Sequence, residues 1–193
     1  MARWEPNSTG RLQQAAMELF VERGYDQTTV AEIAGRAGLT ERTFFRHFAD
    51  KREVLFLGGE ALQELVVKAI AAAPDDAAPI DAIATALDAI GAMFEGRRDG
   101  SRLRQNVIAA HPELQERELI KMAKLTAAMA DTLRARGVPD PSASLAAEAG
   151  TAVFRIAFER WVGGATDGDL RELMRESLTE LKSVTAGTRS RST

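Results

Sequence analysis

Cysteine is absent from this 193-residue chain. Its absence removes disulfides and thiolate chemistry and suits a reducing cytoplasm, the expected location. Histidine is nearly absent, with His47 and His111 alone. Neither has companions at metal-ligand spacing, so no metal is expected. No glycine-rich loop ends in the lysine that a phosphate cradle needs, and no serine sits in a nucleophile-elbow pattern. Catalytic residues and cofactors are not expected, and the chain is read as a non-enzyme. No apolar run approaches about eighteen uncharged residues, which argues against a helical membrane span. The leading MARWEPNSTGR lacks the apolar centre of a secretory signal. Strand-like alternation and internal repeats are missing as well, which leaves helices.

What the chain does have is concentrated in Thr28–Lys51, TTVAEIAGRAGLTERTFFRHFADK. Thr29 with Glu32 three residues later makes a capping box. Val30, Ile33, Ala34 and Ala37 follow at helical spacing. Gly38 ends that helix at a corner, where the left-handed conformation is cheap for glycine. Thr40 caps a second short helix. At about 100° per residue, Phe44 and Phe48 share one side of it, Arg42, Thr43 and Arg46 lie nearly opposite, and Phe45 is on the flank. So short a helix is unstable alone, but phenylalanines anchored behind it would hold it while the arginines point outward. That is the build of a recognition helix for the DNA major groove, where arginine pairs with guanine edges and threonine touches thymine methyls. A solvated face that happens to carry two arginines is the alternative. The net charge of −3 argues mildly against nucleic acid. Between Arg36 and Arg52, however, five basic residues stand against two acidic ones, a local excess suited to phosphates.

From Phe20 to Lys51, through GYDQTTVAEIAGRAGLTERTFFRHFADK, the chain resembles the DNA-binding domain of the TetR family of bacterial transcriptional regulators, in an AcrR-like form. The resemblance implies that Thr29 touches the phosphate backbone, that the third helix from Thr40 to His47 reads bases, and that Lys51 opens a fourth helix against a phosphate. The expected DNA contacts are thus Thr29, Thr40, Arg42, Thr43, Phe45, Arg46, His47 and Lys51. Arg42, Thr43 and Arg46 are assigned to bases, and Thr29, His47 and Lys51 to phosphates. Phe45 is a departure, because the family often has tyrosine there; a hydroxyl that would reach a phosphate is missing, and stacking or methyl contact is left. The resemblance also implies double-stranded DNA with a palindromic operator, a homodimer and a small-molecule effector. More weakly, the C-terminal half resembles the actinobacterial branch that includes mycofactocin-type regulators.

The expected fold is all-α, with about nine helices. A three-helix helix-turn-helix domain occupies residues 1–52, and a larger helical bundle for ligand binding and dimerisation occupies 53–193. Arg3 and Trp4 fall in a leader read as unstructured, with a minor-groove arm as the alternative. Ser8 or Thr9 caps a first helix whose Leu12, Ala15, Ala16, Leu19 and Phe20 form one stripe. A connector helix is expected at about 51–73. Its interior Gly58 and Gly59 either pack closely or make a compliant point. Later helices are marked by Ile80 to Phe94, by Leu103 to Ile108, and by Leu114, Leu119, Met122, Leu125, Met129 and Leu133. Two more follow at about 141–162 and 169–184, and the tail 186–193 is read as disordered.

TAVFRIAFERWV is apolar around most of its circumference, so that helix is expected to be buried on two sides. With the stripe of the next helix it suggests a four-helix interface with a second copy of the chain. The residues assigned to it are Leu145, Val153, Ile156, Trp161, Leu170, Leu173, Met174, Leu178 and Leu181. Phe94, Met122, Met129, Phe154 and Phe158 supply the flexible, polarisable lining of an apolar effector pocket, and equally of an ordinary core. His111 is read as a structural or surface residue, and Arg155 with Glu159 as a surface pair, with anchoring of a polar ligand group the alternative if that face is buried. The function expected is a sequence-specific DNA-binding transcriptional regulator, a repressor released by a small, largely apolar effector. The alternative is a helical bundle that binds small molecules or proteins without touching DNA.

Overall fold

The computed structural model describes residues 7–164 and 168–187. Arg3, Trp4 and the tail from 188 onward lie outside the described residues. Among the described residues the chain forms nine α-helices, one 3-10 helix and no strand. None of these helices is long and apolar enough to cross a membrane. The chain divides into two compact units, Met1–Gly58 with Leu103–Glu118, and Gly59–Arg102 with Leu119–Thr193.

The first unit is built on α1 (Ser8–Arg23), α2 (Val30–Arg36) and α3 (Glu41–His47). Asn7, not Ser8 or Thr9, caps α1, its side chain accepting from the Gly10 N–H at 3.2 Å. A Cβ at residue 10 would fall 2.4 Å from Asn7 Oδ1, so the glycine gives this cap its room. The stripe Leu12, Ala15, Ala16, Leu19 and Phe20 is buried against Ile33, Phe44 and Phe48. Residues far away in sequence complete this core. Ile108 of α6 (Arg98–Ala109) and Leu114 of α7 (Pro112–Ala135) are buried in it. Val54, Leu55 and Phe56, on the 3-10 helix Lys51–Phe56, are buried there too. Compactness therefore does not follow a single cut at residue 52. Polar contacts seal the same junction: Arg104 donates to the Leu55 carbonyl at 2.6 Å and pairs with Glu118, and Arg117 pairs with Glu53. The Arg104 and Arg117 guanidiniums lie 5.2 and 5.9 Å from the centre of the Phe56 ring. His111 is structural, as expected: its Nδ1 is 2.7 Å from the Val107 carbonyl and its ring packs on Tyr25 at 4.8 Å.

The connector is not one helix. Asp50 accepts from the N–H groups of Arg52 and Glu53 at 2.8 and 3.2 Å and starts the 3-10 helix, which ends at Phe56. Gly58 then takes φ +90°, a value no helix interior holds, and α4 (Gly59–Ala71) begins after it. The two glycines mark a break, so the expected compliant point inside a continuous rod is replaced by an interruption.

The second unit contains α4, α5 (Pro79–Met93), most of α7, α8 (Ser142–Gly163) and α9 (Leu170–Thr185). Helix α5 is its centre, and two glycines set how closely its neighbours come. A Cβ on Gly91 would lie 2.6 Å from Arg171 Cβ on α9, and one on Gly150 of α8 would lie 2.5 Å from Ile83 Cγ2. Asp88 on α5 receives both Arg171 and Arg175 of α9, and Lys182 pairs with Asp81. Burial pushes the Asp88 carboxyl up, but the two guanidiniums outweigh it and hold it below the usual carboxylate range. Arg136 covers the end of α4, donating to the carbonyls of Ala71, Ala73 and Pro74. Leu119, expected to point inward from α7, is 68% exposed. The seam of that helix runs instead through Leu125, Met129 and Leu133.

Candidate nucleic-acid interface

Helix α2 begins as its sequence demands. The Thr29 N–H and hydroxyl both donate to Glu32 Oε2 at 2.9 Å, and the Glu32 N–H returns a bond to the Thr29 hydroxyl at 3.2 Å. These bonds from Thr29, with the Arg23 charge, hold the Glu32 carboxyl below its usual range. At the corner Gly38 takes φ +65°, and the Leu39 N–H closes on the Ala34 carbonyl at 2.8 Å. Helix α3 starts at Thr40, whose hydroxyl accepts from the Thr43 N–H at 3.2 Å. Phe44 is fully buried and Phe48 nearly so, their rings 5.3 Å apart. Phe45 is 55% exposed, its ring edge-on to Phe44. Arg42, Arg46 and His47 are exposed and Thr43 is half-buried. One face of α3 is thus an anchor and the other is open.

Three of the five cations counted between Arg36 and Arg52 are engaged within the protein. Arg36 grips Glu22 with two bonds of 2.9 and 2.7 Å and reaches Glu18 at 3.4 Å. That pairing raises the guanidinium and holds the Glu22 carboxyl below its usual range. Arg52 folds back on Asp50 at 3.0 and 2.6 Å. Lys51 Nζ donates to the carbonyls of Tyr25, Thr28 and Asp26 at 2.7, 3.0 and 3.4 Å and sits 4.3 Å from the centre of the Tyr25 ring. An ammonium has three protons, and these carbonyls take them. The phosphate contact expected of Lys51 is not what its geometry serves; it fixes the turn between α1 and α2. Arg42 and Arg46 remain. Among the described residues neither meets a carboxylate, and Arg46 has His47 Nε2 at 3.5 Å. His47 also meets Ser8 Oγ at its Nε2 and Thr9 Oγ1 at its Nδ1, both at 3.2 Å. Sequence spacing gave no signal for these bonds or for Lys51, because the partners lie 23 to 39 positions apart.

In the second unit Phe94, Phe154, Phe158 and Trp161 form a continuous aromatic cluster with ring centres 5.7 to 6.3 Å apart. A cavity of about 310 Å³ opens beside Phe94 and Trp161, with Arg98, Leu170 and Arg171 on its other sides. Of the five residues expected to line a pocket, Phe94 lines this one. Met129 and Phe154 are buried among core residues, and Met122 and Phe158 pack half-buried against them. The nine residues expected at a partner also separate. Val153, Trp161, Leu170, Leu173, Met174 and Leu178 are buried within this chain, because α5 and α8 already cover the stripe of α9. Leu181 is half-buried. Leu145 and Ile156 are free, at 66% and 45% exposure. Arg155 and Glu159 form the expected surface pair at 3.3 Å. No group of three or more metal-capable side chains occurs among the described residues.

Comparison with known proteins agrees with this arrangement. Residues 12–56 match the family of bacterial regulatory proteins, tetR family, and residues 77–186 match the MftR C-terminal domain. The transcriptional regulator TcmR of Streptomyces glaucescens is 37% identical over 91 residues, 47% of this chain and 40% of that protein. The chain spans less than half the length of the curated relatives it matches first. Among solved structures, FadR of Bacillus subtilis in complex with stearoyl-CoA superposes with a TM-score of 0.64 at 18% identity, covering 93% of this chain and 99% of that one. FadR of Thermus thermophilus in complex with lauroyl-CoA gives 0.52 at 23% identity, covering 96% and 97%. With both halves matched and the helix-turn-helix in place, the chain belongs to the TetR family of DNA-binding transcriptional regulators.

Proposed function

We propose that this chain binds a palindromic operator as a cytoplasmic homodimer and represses transcription until a small, largely apolar effector releases it. One observation carries the operator reading: Arg42 and Arg46, on the outer face of α3, meet no carboxylate among the described residues, while Arg36 and Arg52 beside them are paired. Arg42, Thr43 and Arg46 read base edges, with Phe45 giving stacking or methyl contact. Thr40 starts α3, Thr29 caps α2 by giving its hydroxyl proton to Glu32, His47 ends the open face with its ring nitrogens on Ser8 and Thr9, and Lys51 holds the turn behind them. A bundle that never meets DNA gives no reason for two guanidiniums that find no carboxylate among the described residues on a helix this short. Footprinting on the DNA flanking its own gene locates the operator. Arg46→Ala then weakens binding by about 1–3 kcal/mol; equal affinity of variant and wild type removes the assignment.

The aromatic cluster supports an effector with an apolar body, and the cavity beside it, where Arg98, Arg171, Glu95 and Asp169 join Phe94 and Trp161, suits a polar end on that effector. FadR of Bacillus subtilis, which shares this fold, was solved in complex with stearoyl-CoA, and that supports an effector with an acyl-like body. The dimer face that the exposure supports is on α8, where Leu145 and Ile156 stand clear with the small Ala149 and Ala152 between them. Their spacing of three and four residues puts them on one side of the helix.

A further inference from the structure

We propose that Ser8 and Thr9 are positioning residues for operator binding, acting through His47. This rests on the reading that the open face of α3 meets DNA. His47 is the last residue of α3, and it is exposed. A terminal histidine there would ordinarily swing freely about its side-chain bonds, and fixing it at the moment of binding would carry an entropic penalty. Here each ring nitrogen faces its own hydroxyl, Nε2 at Ser8 Oγ and Nδ1 at Thr9 Oγ1, both at 3.2 Å. Turning the ring over would set carbons against both hydroxyls and lose both bonds. A guanidinium nitrogen only donates, so Arg46 Nη2 at 3.5 Å from Nε2 favours the tautomer with its proton on Nδ1, where the Thr9 hydroxyl accepts it and the Ser8 hydroxyl donates to Nε2. The hydroxyl that accepts from the ring N–H keeps its own proton, free for a neighbouring acceptor.

The two hydroxyls stand on consecutive residues at the start of α1, just inside the Asn7 cap, so the backbone carrying them is helical and capped. No acidic side chain occupies the first turn of α1, and Arg11, the next charged residue along it, is turned to the Ala37 carbonyl. Among the described residues, Arg46 Nη2 lies 3.5 Å from the ring's Nε2. The pair thus fixes His47 beside a base-reading arginine, so that the start of α1 takes part in DNA recognition as well as in the core.

The test uses the full chain and a duplex selected by the protein from a random-sequence pool. Ser8→Ala with Thr9→Ala is expected to lower affinity roughly tenfold, with the thermal unfolding midpoint unchanged. His47→Ala is expected to lose a similar factor, and the triple variant no more than His47→Ala alone, the mark of groups acting through one another. The exchange Ser8→Thr with Thr9→Ser keeps both hydroxyls and is expected to retain affinity. Additive losses in the triple variant, or no loss in the double one, overturn the proposal. If Arg46→Ala also leaves affinity untouched, the DNA reading itself has failed; if Arg46→Ala alone weakens binding, only the positioning role has.

Discussion

Single residues decide how this protein holds its reading helix, and Tyr25 is the most testable of them. It is the sole tyrosine of the chain and only 5% exposed, between Phe20, His111 and the Lys51 ammonium. Burial pushes its hydroxyl up to about 12. A folded value raised above the unfolded one, near 10, contributes stability that is complete below about pH 10 and is lost as pH rises toward 12. Alkaline titration of tyrosinate absorbance should show a midpoint near 12 in the native protein and near 10 in denaturant. Coincident midpoints would show that the ring is solvated. Tyr25→Phe should flatten the alkaline loss of stability. At this scale the sequence was legible wherever cause and effect were local. Thr29, Glu32 and Thr40 announce their helices because a cap and its N–H lie within three residues. Lys51 and His47 were not legible in the same way, because carbonyls and hydroxyls more than twenty residues away decide where they point.

Elements show the same division. Amphipathic spacing located the helices closely, since it reflects a face that must leave water. It could not reveal the break before α4, because Gly58 and Gly59 are the same letter in two backbone conformations. The structure separates them, and so does a pair of variants. Gly58→Ala puts a side chain at φ +90°, with no neighbour within 4 Å, so its effect is purely conformational and should cost about 1–2 kcal/mol. Gly59→Ala, in the first turn of α4 with an ordinary 3.8 Å contact to Lys121 Cδ, should be neutral or stabilise by up to about 1 kcal/mol. Chemical denaturation of both variants checks the contrast. Equal destabilisation would mean that the two glycines share one helical conformation.

The whole molecule depends on a choice that periodicity alone could not make. A helix with one apolar stripe can serve its own core or a second copy, and α9 serves its own core. Helix α8 has apolar surface left over at Leu145 and Ile156, which is where we propose that the second copy sits. Ile156→Glu is expected to give a folded monomer by sedimentation equilibrium, with operator affinity reduced to that of one half-site. Val153→Glu, 3 residues away but 2% exposed, should unfold the chain instead. A dimer that survives Ile156→Glu and Leu145→Glu together would move the interface elsewhere.

The burial of Ile108 and Leu114 in the core that also holds Phe44 has an implication for synthesis on the ribosome. Chains emerge from the N-terminus at about 5–20 residues per second, so the reading helices are made several seconds before the side chains that close over them. Until the turn between α6 and α7 has left the tunnel, the core of the nascent head lacks Ile108 and Leu114 and is incomplete. A chain stopped before that turn is expected to bind the proposed operator more weakly than the full chain, which a gel shift with a product ending at residue 100 checks.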